Sequence, residues 1–321
     1  MQLTLLSPEE VVAGYRAAAQ LYPAVPPMII WRGWEYAAYR RCTLPEPVLD
    51  LGCGDGRFFR LVWPGVRQVV GVDIDPSAVD AARRLGVYRE VHLAPAHALP
   101  FADGRFASAL ANCSLEHMDH LPQALENVAR CLRPGGEFLL SVVTDRFLAW
   151  APLPPLLRAA GAPERAEALW AAYARYHHLA NVFTTEGWIA TLERAGFRVE
   201  EHIPLVPELT GRLFLFLDQL WHLPGAAGEA GDALAAALAG RPGLVEALSG
   251  WLAMENNWEA CCGAVLRARR ATSYLGRQPE RSEWVPAPAR DSPLEVGILR
   301  CAVQKLAPSR HPERSEGSSL Q

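Results

Sequence analysis

Short apolar runs alternate with amphipathic segments of helical length through the first half of this chain. Strand-like runs are expected at Val48–Leu51, Gln68–Asp73, Val87–Leu93, Phe106–Asn112 and Glu137–Val143. Between them, the spacing predicts helices at Arg57–Val62, Pro76–Leu85 and Leu121–Leu132. Strands that alternate with helices indicate a parallel sheet joined by right-handed crossovers.

Two helices are predicted ahead of the first strand. Ser7 has the features of an N-cap, with Pro8 at the first helical position and Glu10 completing a capping box. This helix continues to about Leu21, and prolines then break the chain before an aromatic-rich second helix at Ile29–Arg41. We expect both helices to pack on the domain that follows.

The alternation becomes looser after the fifth strand. Residues 145–182 are expected to be helical, and Thr184 or its neighbour caps a further helix before a sixth strand at Phe197–Pro204. A long helical stretch is expected at about 207–272, and Ser292–Leu306 alternates like a final strand.

These elements define a domain organisation with one core and several additions. The polar C-terminal residues are expected to be disordered because they offer little apolar surface to bury. The predicted parts are N-terminal helices at 1–44, a core at 45–204 with 292–306, a helical insertion at 145–182, a helical cap at 205–291 and a tail at 307–321.

Composition and charge narrow the class of protein. The 321 residues carry 31 Lys and Arg against 35 Asp and Glu, a net charge of −4, which gives no support for a nucleic-acid partner. No apolar run reaches the roughly 18–20 residues of a membrane span. The N-terminus lacks the features of a signal peptide, and the seven scattered cysteines form no CxxC pair. We therefore expect a cytoplasmic protein with reduced cysteines and no metal site.

The segment Val48–Phe58, with the sequence VLDLGCGDGRF, is the strongest candidate for chemistry. Gly52, Gly54 and Gly56 allow a sharp turn and a close approach of a ligand to the backbone. The dinucleotide fingerprint GxGxxG would put its third glycine one residue later. Asp50 beside the turn would repel a pyrophosphate but attract a cationic group.

Four ordered segments carry a clear resemblance. They are VLDLGCGDG at 48–56, VVGVDIDPSAV at 69–79, ALPFADGRFASALANCSLEHM at 98–118 and LRPGGEFLLSV at 132–142, with a weaker match at 184–199. With them the chain resembles a class I S-adenosylmethionine-dependent methyltransferase of the small-molecule type. The resemblance implies an α/β fold with a Rossmann-like doubly wound seven-stranded sheet, mostly parallel with an antiparallel last strand, and helical insertions that form a cap.

The resemblance also implies a binding site for S-adenosyl-L-methionine. Asp50 would support the ammonium group of the methionine end, and Asp73 would accept hydrogen bonds from the ribose hydroxyls. Pro95 stands where relatives often have an adenine-binding Asp, so the backbone of Ala96 or the side chain of His97 is the expected replacement. The full expected set is Asp50, Gly52, Cys53, Gly54, Asp73, Ile74, Ala96, His97, Asn112 and Cys113.

Catalysis of methyl transfer mainly requires an aligned acceptor, with a base where the acceptor is a hydroxyl or a protonated amine. Glu116 and His117 are the candidate bases, with a purely structural turn at Leu115–Met118 as the alternative. His177 and His178 are further candidates for a base or a substrate contact, against the alternative of a half-exposed helix face.

The insertions are expected to wall the acceptor site. The apolar segment Leu213–Trp221 would line a pocket for a hydrophobic acceptor, lie at a membrane surface, or be an ordinary buried cap helix. Trp251, Glu255 and Trp258 would share one helix face and hold a polar organic acceptor.

The expected function is therefore methyl transfer from S-adenosyl-L-methionine to a small organic acceptor, with oxygen or nitrogen favoured over carbon. Two alternatives remain open. A nicotinamide-dependent oxidoreductase would share the acid at Asp73, but Asp50 and the early third glycine argue against it. A non-catalytic module that binds S-adenosylmethionine would be consistent with the unusual residues Pro95 and Ala107. The sequence leaves the oligomeric state open.

Overall fold

The computed structural model describes residues 1–225, 228–241 and 243–272. The first half of the chain contains β1 (Gln2–Leu3), α1 (Pro8–Ala18), α2 (Pro26–Tyr39), β2 (Val48–Leu51), α3 (Arg57–Val62), β3 (Val69–Asp73), α4 (Pro76–Leu85), β4 (Glu90–Leu93), β5 (Phe106–Asn112), α5 (Leu121–Cys131) and β6 (Leu132–Val143). The rest contains α6 (Arg146–Ala149), α7 (Leu153–Ala159), α8 (Pro163–His177), α9 (Thr185–Arg194), β7 (Phe197–Pro207), α10 (Glu208–Trp221), β8 (Pro224–Gly225), β9 (Gly228–Glu229), α11 (Ala230–Leu238), α12 (Leu244–Leu252) and β10 (Cys261–Arg270).

The main sheet has the strand order β1-β7-β10-β6-β5-β2-β3-β4. Its strands are parallel except β10, which runs antiparallel to both of its neighbours, β6 and β7. The predicted fold class is confirmed, although the described part of the sheet has eight strands where seven were expected. From β2 the chain winds outward through β3 and β4, then returns to β5 and β6 on the other side. The strand order therefore reverses between β2 and β5, and ligands of such sheets bind at the carboxyl ends there.

The antiparallel strand lies where a helix was expected. Cys261–Arg270 pairs along β6 from Gly263 to Arg269, so the predicted helical stretch at 207–272 is wrong in its last part. Cys261–Leu266 is buried without interruption, and a short apolar run of this kind has no periodicity to separate strand from helix. The predicted strand at 292–306 and the predicted tail at 307–321 lie outside the described residues.

Apolar side chains cover both faces of the sheet. On one face, α1, α2, α3 and α10 contribute to a large core that includes Trp34, Tyr39, Phe59 and Leu215. On the other face, α5 and α9 contribute a second core around Phe106, Phe138 and Trp188. The N-terminal helices α1 and α2 therefore contribute buried side chains to the core on this face of the sheet.

The local start signals predicted from the sequence are present. Ser7 Oγ accepts a hydrogen bond from the backbone N–H of Glu10 (3.3 Å), and Glu10 Oε2 accepts from the backbone N–H of Ser7 (2.7 Å). Thr184 Oγ1 accepts from the Gly187 N–H (3.1 Å) at the start of α9. These caps satisfy amide groups that a helix end leaves without partners.

The two cap segments singled out in the sequence have different outcomes: Leu213–Trp221 follows the buried-helix alternative, whereas the helix face predicted for Trp251, Glu255 and Trp258 is wrong. The Leu213–Trp221 segment is part of α10, where Phe214 and Leu215 are buried in the core and Phe214 packs on Trp31 with ring centroids 5.2 Å apart. Helix α12 ends at Leu252, so Glu255 and Trp258 do not share a helix face with Trp251. Glu255 instead accepts a hydrogen bond from the Thr210 N–H (2.9 Å), and Trp258 packs on Trp34.

Candidate functional site

A cavity of about 350 Å³ opens at the carboxyl ends of β2 and β5, where the strand order reverses. Its walls come from the glycine turn after β2, the end of β3, the loop after β4 and the end of β5. All predicted cofactor-binding residues line it: Asp50, Gly52, Cys53, Gly54, Asp73, Ile74, Ala96, His97, Asn112 and Cys113. Their roles stay predictions, but the fold brings the whole set to one place.

The three glycines of the turn serve different purposes. All three have positive φ angles, which residues other than glycine rarely adopt: 74° at Gly52, 53° at Gly54 and 77° at Gly56. A Cβ on Gly52 would lie 2.6 Å from Ser114 Cβ, and one on Gly56 would lie 2.5 Å from Tyr88 Cε2. A Cβ on Gly54 would meet no atom within 4 Å. Gly54 is therefore the glycine that leaves room for a ligand.

Asp50 sits on β2 with only 3% of its surface exposed. Its Oδ2 accepts a hydrogen bond from the Tyr88 hydroxyl (2.7 Å). Burial raises the pKa of Asp50 to about 7, and the charge of Asp73 adds to the rise, while the hydrogen bond from Tyr88 opposes it. A ligand cation beside Asp50 would remove this penalty.

Asp73 ends β3 and is held by two backbone groups. Its Oδ2 accepts from the Gly54 N–H and its Oδ1 from the Asp75 N–H, both at 2.9 Å. Burial still raises the pKa of Asp73 above its ordinary value, while these two hydrogen bonds oppose the rise. The carboxylate thus links the glycine turn to the residues that follow β3.

The loop beyond Asp73 forms a partly apolar end of the cavity. Ile74 is 54% exposed and lines the cavity. Ala96 and His97 lie in a short 3-10 turn at Ala96–Ala98, and the His97 ring packs edge-on against His120 with centroids 4.7 Å apart. Ile74 and Ala96 thus contribute apolar surface to this end of the cavity.

The end of β5 is tied to the N-terminal helix α2. Glu35 is fully buried and accepts hydrogen bonds from Arg32 Nη1 (2.6 Å), Ser141 Oγ (2.7 Å) and Cys113 Sγ (3.0 Å). Cys113 adopts a φ of 44°, which is uncommon for a residue other than glycine, and its sulfur also accepts from Trp31 Nε1 (3.2 Å). Side chains of α2 thus hold in place the backbone turn at Cys113, which forms the floor of the cavity at the end of β5.

The two candidate bases occupy different environments. His117 lines the cavity, and its Nδ1 lies 3.2 Å from the His178 carbonyl oxygen. Burial lowers the pKa of His117 to about 4, so its ring is neutral at pH 7. Among the described residues the lining does not include Glu116, whose side chain is 1% exposed and whose Oε2 has no hydrogen-bond partner. Burial raises the pKa of Glu116 to about 7.

His177, the last residue of α8, and His178, the C-cap that follows it, lie in different surroundings. His178 lines the cavity, whereas His177 Nε2 lies 2.9 Å from Asp218 Oδ2 on α10. The Tyr173 hydroxyl donates to the same oxygen (2.8 Å), and these contacts fasten α8 to α10. Histidine pairing holds the pKa of Asp218 well below its usual range. Within the described residues, no group of three His, Cys, Asp or Glu side chains is arranged to hold a metal ion.

Sequence reasoning missed the residues that reach the cavity from other segments. Tyr22 and Arg32 line it from the N-terminal region, and Phe58 and Trp63 line it from α3 and the residue after it. One signal was available for Arg32, since Arg32 and Glu35 are two charged residues three positions apart in an otherwise apolar helix. Nothing in the local sequence around Tyr88 pointed to Asp50.

The comparisons with known proteins agree with this geometry. The sequence profile of a family described as a methyltransferase domain matches residues 49–140, which contain the glycine turn, Asp73 and the end of β5. Residues 49–140 are a class I S-adenosylmethionine-dependent methyltransferase domain. The predicted family is thereby confirmed, and the cavity lies within the matched part of this domain and the segments that cover it.

Three relatives of the methyltransferase domain show how far the likeness extends. An O-methyltransferase, resE, of Aspergillus sclerotiorum is 34% identical over 33% of this chain and 43% of its own length. A malonyl-[acyl-carrier protein] O-methyltransferase of Pseudescherichia vulneris is 29% identical over 49% of this chain and 61% of its own. A ribosomal protein L11 methyltransferase of Burkholderia lata is 32% identical over 49% and 45%. The chain thus matches less than two thirds of each relative. Among the described residues, no helix is both long and apolar enough to cross a membrane.

Proposed function

We propose that this protein transfers a methyl group from S-adenosyl-L-methionine to a small organic acceptor. The observation that carries the proposal is the placement of two buried acids, Asp50 and Asp73, at the glycine-lined cavity where the strand order reverses. The donor brings an ammonium group, a sulfonium and a ribose, and lacks the phosphates that Asp50 would repel. S-adenosyl-L-methionine would supply an activated methyl group on its sulfonium.

The residues of the cavity suit the parts of this donor. Asp50 would hold the ammonium group, which offsets the burial that now raises its pKa. Asp73 would accept from the ribose hydroxyls, Gly54 would let the ligand lie against the backbone, and Ile74 would cover the adenine. Asn112 and Cys113 would lie beneath the sulfonium at the end of β5.

The acceptor is proposed to be a small molecule methylated on oxygen or nitrogen. His117 lines the cavity as a neutral ring, so it can accept a proton or a hydrogen bond from an acceptor hydroxyl or amine. Two of the three relatives are named O-methyltransferases, which supports an oxygen atom as the acceptor. The third is named a methyltransferase of ribosomal protein L11. Glu116 remains the weaker candidate because its side chain lies away from the cavity lining.

The donor half of the proposal is tested by calorimetric titration. S-adenosylhomocysteine and NAD are titrated separately into the full-length protein. We expect saturable binding of S-adenosylhomocysteine and none of NAD, because the pyrophosphate of NAD would meet Asp50. Binding of NAD alone would favour the oxidoreductase alternative and refute the proposal.

The acceptor half is tested by transfer of a labelled methyl group. Panels of phenols, carboxylic acids and amines are incubated separately with the protein and S-adenosyl-L-methionine that carries a labelled methyl group. Mass spectrometry then detects the labelled product. We expect label in an oxygen or nitrogen panel, with a lower rate for His117→Ala. The non-catalytic alternative would be favoured by two results together. The protein would bind the donor but transfer label to none of the panels, and a structure of the complex would show no space for an acceptor beside the sulfonium.

A further inference from the structure

Tyr88 is a buried tyrosine that does not line the cavity but contacts Asp50, one of the two acids that do. It lies in the turn between α4 and β4 and is 9% exposed. Its hydroxyl donates to Asp50 Oδ2 (2.7 Å) and lies 3.4 Å from the Cys53 carbonyl oxygen. In the part of the chain that the structure describes, the Asp50 carboxylate makes no other hydrogen bond to a protein group.

The space for the Tyr88 ring is created by two glycines. A Cβ on Gly56 would lie 2.5 Å from Tyr88 Cε2, and a Cβ on Gly71 would lie 3.2 Å from Tyr88 Cδ1 and 2.8 Å from Cys53 Sγ. Gly71 lies within β3 and has no positive φ, so its backbone does not require glycine. Phe59 packs on the ring from α3 with centroids 5.7 Å apart. The slot thus fixes where the hydroxyl points.

We propose that Tyr88 is a positioning residue for methyl-donor binding, which holds one oxygen of Asp50 so that the other remains for the ammonium group of the donor. The inference rests on the proposed function. Tyr88 acts through Asp50 and touches neither the donor nor the acceptor. Gly56 and Gly71 are part of the same device because they seat the ring.

The charges around Asp50 make this hydrogen bond important. Asp73 on β3 and Asp55 in the glycine turn are acids near the Asp50–Tyr88 pair, and the Cys53 thiol stays neutral because burial raises its pKa. None of these groups stabilises an ionised Asp50, whereas the Tyr88 hydroxyl lowers its pKa against the effect of burial. Removal of the hydroxyl therefore raises the pKa of Asp50, and ionised Asp50 forms only at higher pH.

The test compares wild type with Tyr88→Phe in calorimetric titrations between about pH 5 and about pH 9. Two ligands are used, S-adenosylhomocysteine and adenosine, because adenosine lacks the amino acid part. We expect Tyr88→Phe to bind S-adenosylhomocysteine about tenfold more weakly near neutral pH, as for a lost hydrogen bond to a charged group. The pH of half-maximal affinity should move upward, and adenosine binding should change little.

Two further variants separate positioning from folding. Tyr15→Phe is the matched control, because it removes a buried hydroxyl that accepts from Trp34 Nε1 (3.2 Å) away from the cavity. It should leave both the affinity and the pH profile unchanged. In an Asp50→Asn background, addition of Tyr88→Phe should have a much smaller effect, since coupled residues give non-additive changes.

Three results distinguish the possible failures. If wild type does not bind S-adenosylhomocysteine, the proposed function fails. If wild type binds it and Tyr88→Phe has the same affinity and pH profile, only the role of Tyr88 is overturned. Equal weakening of S-adenosylhomocysteine and adenosine by Tyr88→Phe would show that the tyrosine merely supports the loop, and would also overturn the inference.

Discussion

At the scale of single residues, the cavity proposed to bind the methyl donor contains two buried acids, Asp50 and Asp73, and among the described residues no cationic side chain forms an ion pair with either of them. Burial raises the pKa values of both Asp50 and Asp73, which means that the protein alone keeps these carboxylates in an unfavourable state. A cationic or hydroxyl-rich ligand relieves this cost, so the site favours such a ligand over an anion. Substitution of either acid should therefore weaken the binding of the donor strongly.

Replacement of Asp73 by Asn tests its proposed contact with the ribose. The amide keeps one acceptor for the backbone N–H of Gly54 or Asp75, but loses the charge that strengthens hydrogen bonds from the ribose. We expect S-adenosylhomocysteine binding to weaken by about 1–3 kcal/mol, measured by calorimetry. Asp80→Asn on the exposed face of α4 is the control and should bind normally. An unchanged affinity for Asp73→Asn would contradict the assigned contact.

Glu116 should make stability depend on pH. Its pKa is about 7 in the folded protein and near its ordinary value of 4.5 when unfolded, so its stabilising effect is complete at low pH and is lost as pH rises through about 7. The Glu116→Gln variant should not lose stability in this way, because an amide does not titrate. Urea unfolding at about pH 5 and about pH 8 should show the variant gaining stability relative to wild type at the higher pH. The same difference at both pH values would show that the carboxyl does not titrate there.

At the scale of elements, α2 joins the N-terminal region to the floor of the cavity. Its Glu35 receives hydrogen bonds from its own helix through Arg32, from β6 through Ser141 and from the end of β5 through Cys113. These three hydrogen bonds are buried. A change in α2 should therefore affect both stability and the shape of the donor site.

Glu35→Ala should destabilise the fold strongly. It leaves Arg32 as a buried cation without its partner, which typically costs about 3–5 kcal/mol. Chemical denaturation measures the loss of free energy. Asp80→Ala, which removes the exposed pair with Arg83, should cost less than about 1 kcal/mol. If the two variants were equally stable, the buried network would contribute nothing measurable.

At the scale of the whole molecule, β10 closes the sheet between β6 and β7. Nine of its register positions pair with β7, and seven pair with β6, so it is an interior strand with neighbours on both sides. By contrast, β1 has only two residues at one edge. The stability of the sheet on that side depends on a strand that comes late in the described chain.

Hydrogen exchange should report this arrangement. The amides of Gly263–Arg269 should exchange as slowly as those of β5 and β6, because interior strands open only in large-scale unfolding. The amides of β1 should exchange much faster. Mass-spectrometric exchange resolves these segments, and rapid exchange along β10 would contradict its position within the sheet.

Most strands and helices of the methyltransferase domain could be predicted from the sequence because their signals are local. Val48–Leu51, Arg57–Val62, Pro76–Leu85 and Phe106–Asn112 have the predicted bounds, since hydrophobic periodicity, caps and glycines act within a few residues. The ordered motifs also identified the family and ten of the residues that line the cavity, but not those that reach it from α2 and α3. β10 could not be separated from a helix, because a continuously buried run lacks the period that distinguishes them.

The sequence by itself determined the class of the domain, the glycine turn and the two acids beside it. Only the tertiary structure decided that Gly54 alone of the three glycines faces open space, and that Gly56 makes room for Tyr88. It also decided that Tyr88 holds Asp50, and that Arg32 reaches the cavity from α2. These pairings join residues far apart in the chain, and they depend on which surfaces burial brings together, which no local pattern encodes.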